Sequence, residues 1–271
     1  TKDAIKSLVD VFNAKGDSVD VKYKLVTFAR YASTVTGEWV NGDTLYNKVR
    51  SLGANGGTNY DQGFQKGKTA IDSARSDAKK VVIFLTDGEP TYYGTRPSGR
   101  GNDTSTNTLT AALNSAATIK CTDFYAVGIG LPNKVKVYTD DDRDHTKDKY
   151  IDKNYKDLTG QGVLDLIKNQ VNAATKDAWN LTKDAYGTYS SLTNKFQQIA
   201  GQTLTAACSN VVITDQLSKY VDVTKSSKLR VKVAERNING DYSVKYPPQD
   251  FALDVTGNDA KVQLMVRTLQ R

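Results

Sequence analysis

Apolar residues recur along the first two hundred positions with two alternating periods. Ile5, Leu8, Val9 and Phe12 fall at i, i+3, i+4 and i+7 and predict a helix that Gly16 stops. Val19 to Leu25 alternates apolar with polar and leads into a strand at Val26–Ala29. Ser33 to Trp39 reads as a shorter strand at a sheet edge. Asp43 and Thr44 are the expected cap of a helix containing Leu45, Val49 and Leu52. Phe64 and Ile71 share one face of a helix over residues 60–74. Val81 to Leu85 is an unbroken apolar run, which predicts a strand buried on both faces, as in parallel sheets. A loop rich in Gly, Ser, Asn and Thr covers 91–106, a helix carries Leu109, Leu113 and Ala116, and a strand runs from Asp123 to Gly130. Val163, Leu164, Ile167 and Val171 mark one later helix, and Leu192, Phe196 and Ile199 another, with Trp179 and Tyr186 expected between them. Strand, helix and strand in repeated order predict a doubly wound, mostly parallel α/β sheet with helices on both faces.

The pattern changes near residue 209. Val211–Leu217, Lys228–Val233, Asp241–Lys245 and Lys261–Val266 are short alternating runs, separated by turn signals such as Asn239-Gly240 and Gly257-Asn258. That is the pattern of a β-sandwich. About 60 residues are too few to bury a good core unaided.

Composition narrows the chemistry. The chain has 271 residues, 37 of them Lys or Arg and 30 Asp or Glu, a net charge of +7. With a pI near 9.1, the surplus favours anionic partners only weakly. No arginine cluster or basic–aromatic interleaving points to nucleic acid, so the reading is a generally basic surface. Mean hydropathy is −0.52, and no stretch has the length of a membrane helix. No signal peptide or sorting tail is evident, and the chain reads as a segment of something larger. His145 is the only histidine and there are two cysteines, too little for a histidine-dependent triad or a four-cysteine zinc site. Gly128-Ile-Gly130 lacks the rest of a dinucleotide fingerprint and reads as tight strand-end geometry. Between Lys134 and Asp157 seven basic residues stand among seven aspartates. Asp140, Asp142, Asp144 and Asp148 alternate as in a calcium loop, but His145 and Ile151 occupy the positions that need glycine and glutamate. A solvated, mutually paired charge surface is the favoured reading there.

Two stretches carry the candidate chemistry. Thr86-Asp87-Gly88-Glu89 follows the apolar strand, and in open α/β sheets ligands bind beyond the carboxyl ends of strands. An Asp-Gly pair is also an ordinary turn. Gly53-Ala-Asn-Gly-Gly-Thr-Asn-Tyr60 is a glycine-rich loop that opens a helix, with the Thr58 hydroxyl close to whatever the loop surrounds. A Gly-Gly-Thr-Asn loop before a helix, then a buried strand ending Thr-Asp-Gly, resembles the von Willebrand factor A domain. The resemblance covers roughly residues 1–208, with an insertion at about 131–187. It implies a metal-ion-dependent adhesion site with Thr58 and Asp87 as ligands and Glu89 as a candidate outer-shell group, holding Mg²⁺ or alternatively Mn²⁺ or Ca²⁺. Family members begin with a strand ending Asp-x-Ser-x-Ser, which supplies three more groups. No such motif occurs here, so that strand is expected upstream of Thr1.

Val-Ile-Thr-Asp-Gln-Leu-Ser-Lys-Tyr-Val-Asp222 resembles the segment after the A domain in Gram-positive pilus-tip adhesins. In those proteins the A domain is inserted into an immunoglobulin-like domain, so residues 209–271 are expected to be its C-terminal half. The resemblance implies an adhesin, not an enzyme, on a wall-anchored pilus at the bacterial surface. Its expected partners are host extracellular matrix or a cell-surface protein or glycan, and a pilus backbone subunit through other parts of the protein. The alternative is a structural stalk module whose A domain binds no metal or ligand. Asp215 is a candidate acid assisting a Lys–Asn isopeptide bond, or else simply begins a turn.

The α/β reading also bears on the cysteines. Cys121 starts its strand at the pole away from Asp87, and Cys208 follows a helix that ends at that same pole, so a disulfide is expected. Closing a loop of about 90 residues stabilises by about 4 to 5 kcal/mol in the chain-entropy model, and export would keep it oxidised. Two separate buried thiols are the competing reading.

Overall fold

In the computed structural model, β5 (Lys120–Ile129) is the strand on which the first unit is layered. The structure describes residues 2–14, 20–53, 56–185 and 190–207, together with six strands between 212 and 265, for which only the backbone is described. β5 alternates between two cores: Phe124 and Ala126 join one apolar cluster, Tyr125 and Val127 the other. All four are essentially inaccessible, which is why this strand reads as a near-continuous apolar run. On one side of it lies β3 (Val81–Thr86), paired parallel from Val81↔Asp123 to Thr86↔Gly128. On the other lies β7 (Asn172–Leu181), also parallel.

Helices cover both faces. α3 (Tyr60–Asp72), α4 (Thr106–Ala116) and α5 (Gly160–Gln170) contribute Tyr60, Phe64, Leu109, Ala112, Leu164 and Ile167 to the cluster on Phe124 and Ala126. α1 (Lys2–Asn13) and α6 (Ser190–Ala207) contribute Leu8, Phe12, Leu192, Phe196 and Ile199 to the opposite one. β3 is shared the same way, with Phe84 in the first cluster and Val81, Ile83 and Leu85 packed on the second. The expected helices and parallel strands are therefore present. Among the described residues, however, β3 pairs only with β5, and Val81, Val82, Ile83 and Leu85 are half-buried where full burial was expected.

β1 (Val26–Phe28) forms an antiparallel hairpin with β2 (Ala32–Thr34) and has no other strand partner among the described residues. Phe28 nonetheless stacks on Phe84 at 5.5 Å with a 7° interplanar angle, so β1 and β3 meet through side chains. α2 (Gly42–Arg50) packs Leu45 and Val49 on Val9 of α1. Its cap is Asn41, whose carboxamide oxygen accepts from the Thr44 amide at 2.9 Å, and not Asp43, which sits in the first turn. An Asn just outside the helix can reach a free amide that a residue within the first turn cannot.

The stretch 131–187, expected as one long insertion, divides. Residues 160–170 form α5 and 172–181 form β7, a helix and strand of the parallel sheet itself. The excursion proper runs from Leu131 to Thr159 and includes β6 (Val137–Tyr138), which pairs with β4 (Thr104–Ser105), and two 3-10 turns. The periodicity of 163–171 had marked the helix. The half-buried β7 lacks the apolar run that identified β3, so its strand went unread. Trp179 of β7 stacks on Tyr125 and receives the Lys195 ammonium from α6 at 4.2 Å. Tyr186 and Cys208 lie outside the described residues, and with Cys208 the expected disulfide. Cys121 is half-buried, and burial pushes its thiol up to about 12.

Contacts separate residues 1–204 from residues 205–271. In the second unit the described strands all pair antiparallel: β8 (Val212–Gln216) with β13 (Lys261–Met265), β9 (Lys228–Val231) with β12 (Gln249–Ala252), and β10 (Ala234–Arg236) with β11 (Tyr242–Val244). Asp215 lies in β8 opposite Val262, and its side chain is outside the described set.

Candidate functional site

Three loops converge at the carboxyl end of β3. An aromatic group under them sets their height: Phe84 meets Phe28, Tyr60 and Phe64 with centroids between 4.8 and 5.5 Å. Such pairs add about 0.5–1.5 kcal/mol each beyond area burial. Tyr60, wholly buried at the start of α3, donates its hydroxyl to the Gly88 carbonyl, and Thr86 Oγ1 donates to the same carbonyl at 2.9 Å. The Asp87–Gly88 bend is thus held from below by α3 and by the last residue of β3.

The glycine loop is held from three sides. Asn59 caps α3 by accepting from the Gln62 amide at 2.9 Å, while its carboxamide donates to the Arg30 and Gly94 carbonyls, both at 3.2 Å. Thr58 is clamped by its backbone: its amide donates to Thr91 Oγ1 at 3.0 Å, and its carbonyl accepts from the amides of Thr91 and Tyr92 at 2.8 and 3.0 Å. Gly57 has φ +84°, and a Cβ there would lie 2.7 Å from the Tyr92 ring, so only glycine lets this loop pass under Tyr92. With its backbone fixed, Thr58 turns its hydroxyl to the 86–89 bend. A Cβ at Gly88 would stand 3.0 Å from Thr58 Oγ1, tighter than ordinary contact, so glycine at 88 admits the hydroxyl.

The structure thus brings Thr58 and the Asp87-Gly88 bend together, with Asp87 exposed and Thr58 half-buried. Both side chains offer oxygen donors with a single negative charge, the chemistry of a hard divalent cation rather than of zinc or copper. They would make up only part of a six-oxygen shell, and no group of three or more His, Cys, Asp or Glu that could hold a metal ion occurs among the described residues.

Glu89 is half-buried beyond the bend, and its carboxyl is pushed up to about 7, first by burial and then by the Asp103 carboxylate. The native state therefore holds this proton more tightly than the unfolded chain, whose glutamate titrates near 4.5. Stability from this group is fully present below about 4.5 and is lost as pH rises through about 7. In metal-free protein, Glu89→Gln is expected to gain about 1–3 kcal/mol over wild type at high pH and nothing at the acid end. Thermal melts at the two pH extremes check this, and a constant difference between the proteins contradicts it.

The sequence reading missed Asn59, Tyr60 and Thr91 as the framework of the site. An asparagine just before an apolar helix was the available signal for the first. None existed for Tyr60 and Thr91, whose partners lie about 30 residues away. The rim was missed as well. Tyr31 is 59% exposed, and the Arg30 guanidinium lies 5.9 Å from its ring and 5.2 Å from that of Tyr92.

Comparison with known proteins agrees with this architecture. Among curated proteins no sequence matches. Among solved structures, the pilus adhesin SpaC of Lactobacillus rhamnosus GG aligns over 97% of this chain and 35% of its own, with 15% identity and a TM-score of 0.55. Its open conformation gives 14% identity and a TM-score of 0.52 over the same shares. The PilB minor pilin of Streptococcus sanguinis aligns over 74% of this chain and 52% of its own, at 16% identity and a TM-score of 0.45. The chain thus spans about a third of SpaC and half of PilB, and the likeness to SpaC, at 15% identity, shows the fold alone. The sequence profile of the von Willebrand factor type A domain matches residues 1–142, a span that takes in Thr58, the Thr86-Asp87-Gly88 bend and the parallel strands around them, and the chain belongs to that family.

Proposed function

We propose that this chain is the ligand-binding part of a bacterial pilus adhesin, carried on the cell surface and recognising host matrix or a cell-surface protein or glycan. The observation that carries the reading is the placement of the Thr58 hydroxyl against the Asp87-Gly88 bend at the carboxyl end of β3. Thr58 and Asp87, with oxygens from elsewhere in the protein, would hold Mg²⁺ or a similar divalent ion. When bound, that ion would supply an electrophilic centre for a ligand carboxylate. The chain's own residues do the rest: Asn59 and Thr91 keep Thr58 in place, Tyr60 and Thr86 hold the bend, and Tyr31 and Arg30 offer an amphipathic rim. The chain is a binder rather than an enzyme in this reading. The free edges of β1 and β3 among the described residues support a further strand of the protein pairing there. Residues 209–271 complete an immunoglobulin-like domain whose other half comes from elsewhere.

The experiment is adhesion of the intact protein to immobilised matrix proteins with Mg²⁺ and with chelator. Binding is expected with Mg²⁺, lost on chelation and restored by excess Mg²⁺. Tyr31→Ala is expected to weaken adhesion by about 10- to 30-fold, as for a hot-spot aromatic, without changing Mg²⁺ affinity. The rival reading, a stalk module without ligand, is favoured by the small number of ion-holding donors among the described residues. Absence of adhesion decides for it, and adhesion indifferent to chelation overturns the metal-bridged reading.

A further inference from the structure

The 131–159 excursion balances its charges in sequence and segregates them in space. Four of its seven aspartates are engaged by groups other than its lysines. Asp140 and Asp142 face the His145 ring at 2.9 and 3.3 Å. Asp141 accepts from Ser105 Oγ, Asn107 and the Tyr93 hydroxyl, and Asp152 accepts from Thr106 Oγ1 at 2.9 Å. The lysines are left over. Lys134, Lys136, Lys149, Lys153 and Lys156 line one open cleft of about 470 Å³, in which Asp148 is the only carboxylate.

The backbone builds this convergence. Val135 and Val137 are buried, so alternation turns Lys134 and Lys136 outward. The segment carrying them is bonded to the one carrying the others: Val135 N donates to Leu158 O, Asp152 N to Val137 O and Thr139 N to Tyr150 O, each at 2.8 Å. Two 3-10 turns, Asp148–Tyr150 and Lys153–Tyr155, then present Lys149 and Lys153 to the same opening. The ion pairs that these lysines make are loose and wet. Lys136 meets Asp148 at 3.5 Å and Lys156 meets Asp157 at 3.9 Å, with all four side chains at least half exposed. Such pairs contribute little and give way to a stronger polyanion.

We infer that this cleft is a binding site for a linear sulfated polysaccharide, separate in its residues from the Thr58–Asp87 site. Five point charges and one carboxylate give the cleft a net positive field, which excludes cations. Apart from Ile151 every lining side chain is charged, which excludes an apolar ligand. The lining has no arginine fork for a single phosphate and no aromatic ring on which a base could stack. Lysines spread over three segments match anionic groups repeated along a chain, with affinity arising from counterion release.

The test is retention of the intact protein on immobilised heparin at about 0.15 M salt, with chelator present so that metal-dependent adhesion plays no part. Wild type is expected to bind, with affinity falling steeply as salt rises. The combined variant Lys136→Gln, Lys149→Gln, Lys153→Gln is expected to weaken binding by about tenfold or more. A variant that loses the same charge elsewhere, Lys48→Gln, Lys66→Gln, Lys183→Gln, stays within about twofold of wild type. Desulfated heparin is expected to compete poorly. The inference is overturned if wild type is not retained, if both triple variants weaken equally, or if duplex DNA competes as well as heparin.

Discussion

Asp87→Ala is expected to abolish Mg²⁺ binding and, with it, adhesion by the intact protein. Asp87 is the exposed carboxylate of the bend that packs against Thr58, open to meet an ion. Removing a charged ligand from a six-oxygen shell is expected to weaken the metal by about 100-fold or more, about 2.7 kcal/mol at the least. Thr58→Ala removes a neutral donor and is expected to cost about tenfold. The fold should barely notice Asp87→Ala, since the bend is held by Tyr60 and Thr86 through the Gly88 carbonyl. Titration calorimetry with Mg²⁺, alongside thermal melts, separates the two effects. Equal Mg²⁺ affinity for wild type and Asp87→Ala would remove this site from consideration, whatever the adhesion assay showed.

Arg100→Ala is expected to destabilise the first unit strongly. Arg100 comes from the loop after β3, and its side chain has no exposed surface. The guanidinium lies 4.0 Å over the Tyr138 ring and donates to the carbonyls of Asp142 and His145. The carboxylates of Asp103 and Asp140 stand on either side at 3.8 Å. Its Nε has no hydrogen-bond partner, so the burial is not fully compensated. One buried cation therefore ties the excursion to the 91–103 loop. Deleting it leaves a void, two unanswered carbonyls and two carboxylates without their cation. Breaking such a buried arrangement costs about 3–5 kcal/mol, a fall in Tm of about 6–20 °C for a domain of this size. Arg100→Lys should recover only part, because an ammonium lacks the planar face and the fork. Melting of both variants within about 2 °C of wild type would refute this account.

Helices and buried strands were legible because each is written locally. Ile5, Leu8, Val9 and Phe12 describe a face by spacing alone, and all are at least half-buried in the structure. The run 81–85 was legible as a strand for the same reason, and Thr58 and Asp87 were found through short motifs that begin or end such elements. β7 was not legible: its residues are mostly half-buried, only half of them are apolar, and its membership of the sheet rests on pairing with β5 about 50 positions earlier. The aspartates of the excursion read as a solvated, mutually paired charge surface, with a calcium loop set aside because His145 and Ile151 stand where glycine and glutamate are needed. The structure alone names the partners of Asp140 and Asp141: His145, Arg100 and the start of α4.

What the sequence determined by itself, then, was period, punctuation and motif: an α/β unit followed by a β unit, with a glycine loop and an Asp-Gly bend as the chemical candidates. These depend on neighbours within a turn or two, and composition carries them. The tertiary structure alone decided which distant groups meet. It set Tyr60 and Thr86 under Gly88, buried Arg100 between two loops, and divided a balanced run of lysines and aspartates into a paired core and an open basic cleft. Hydrogen bonds and ion pairs act over a few ångströms, and chain separation says nothing about which residues come within that reach until the strands have chosen their partners.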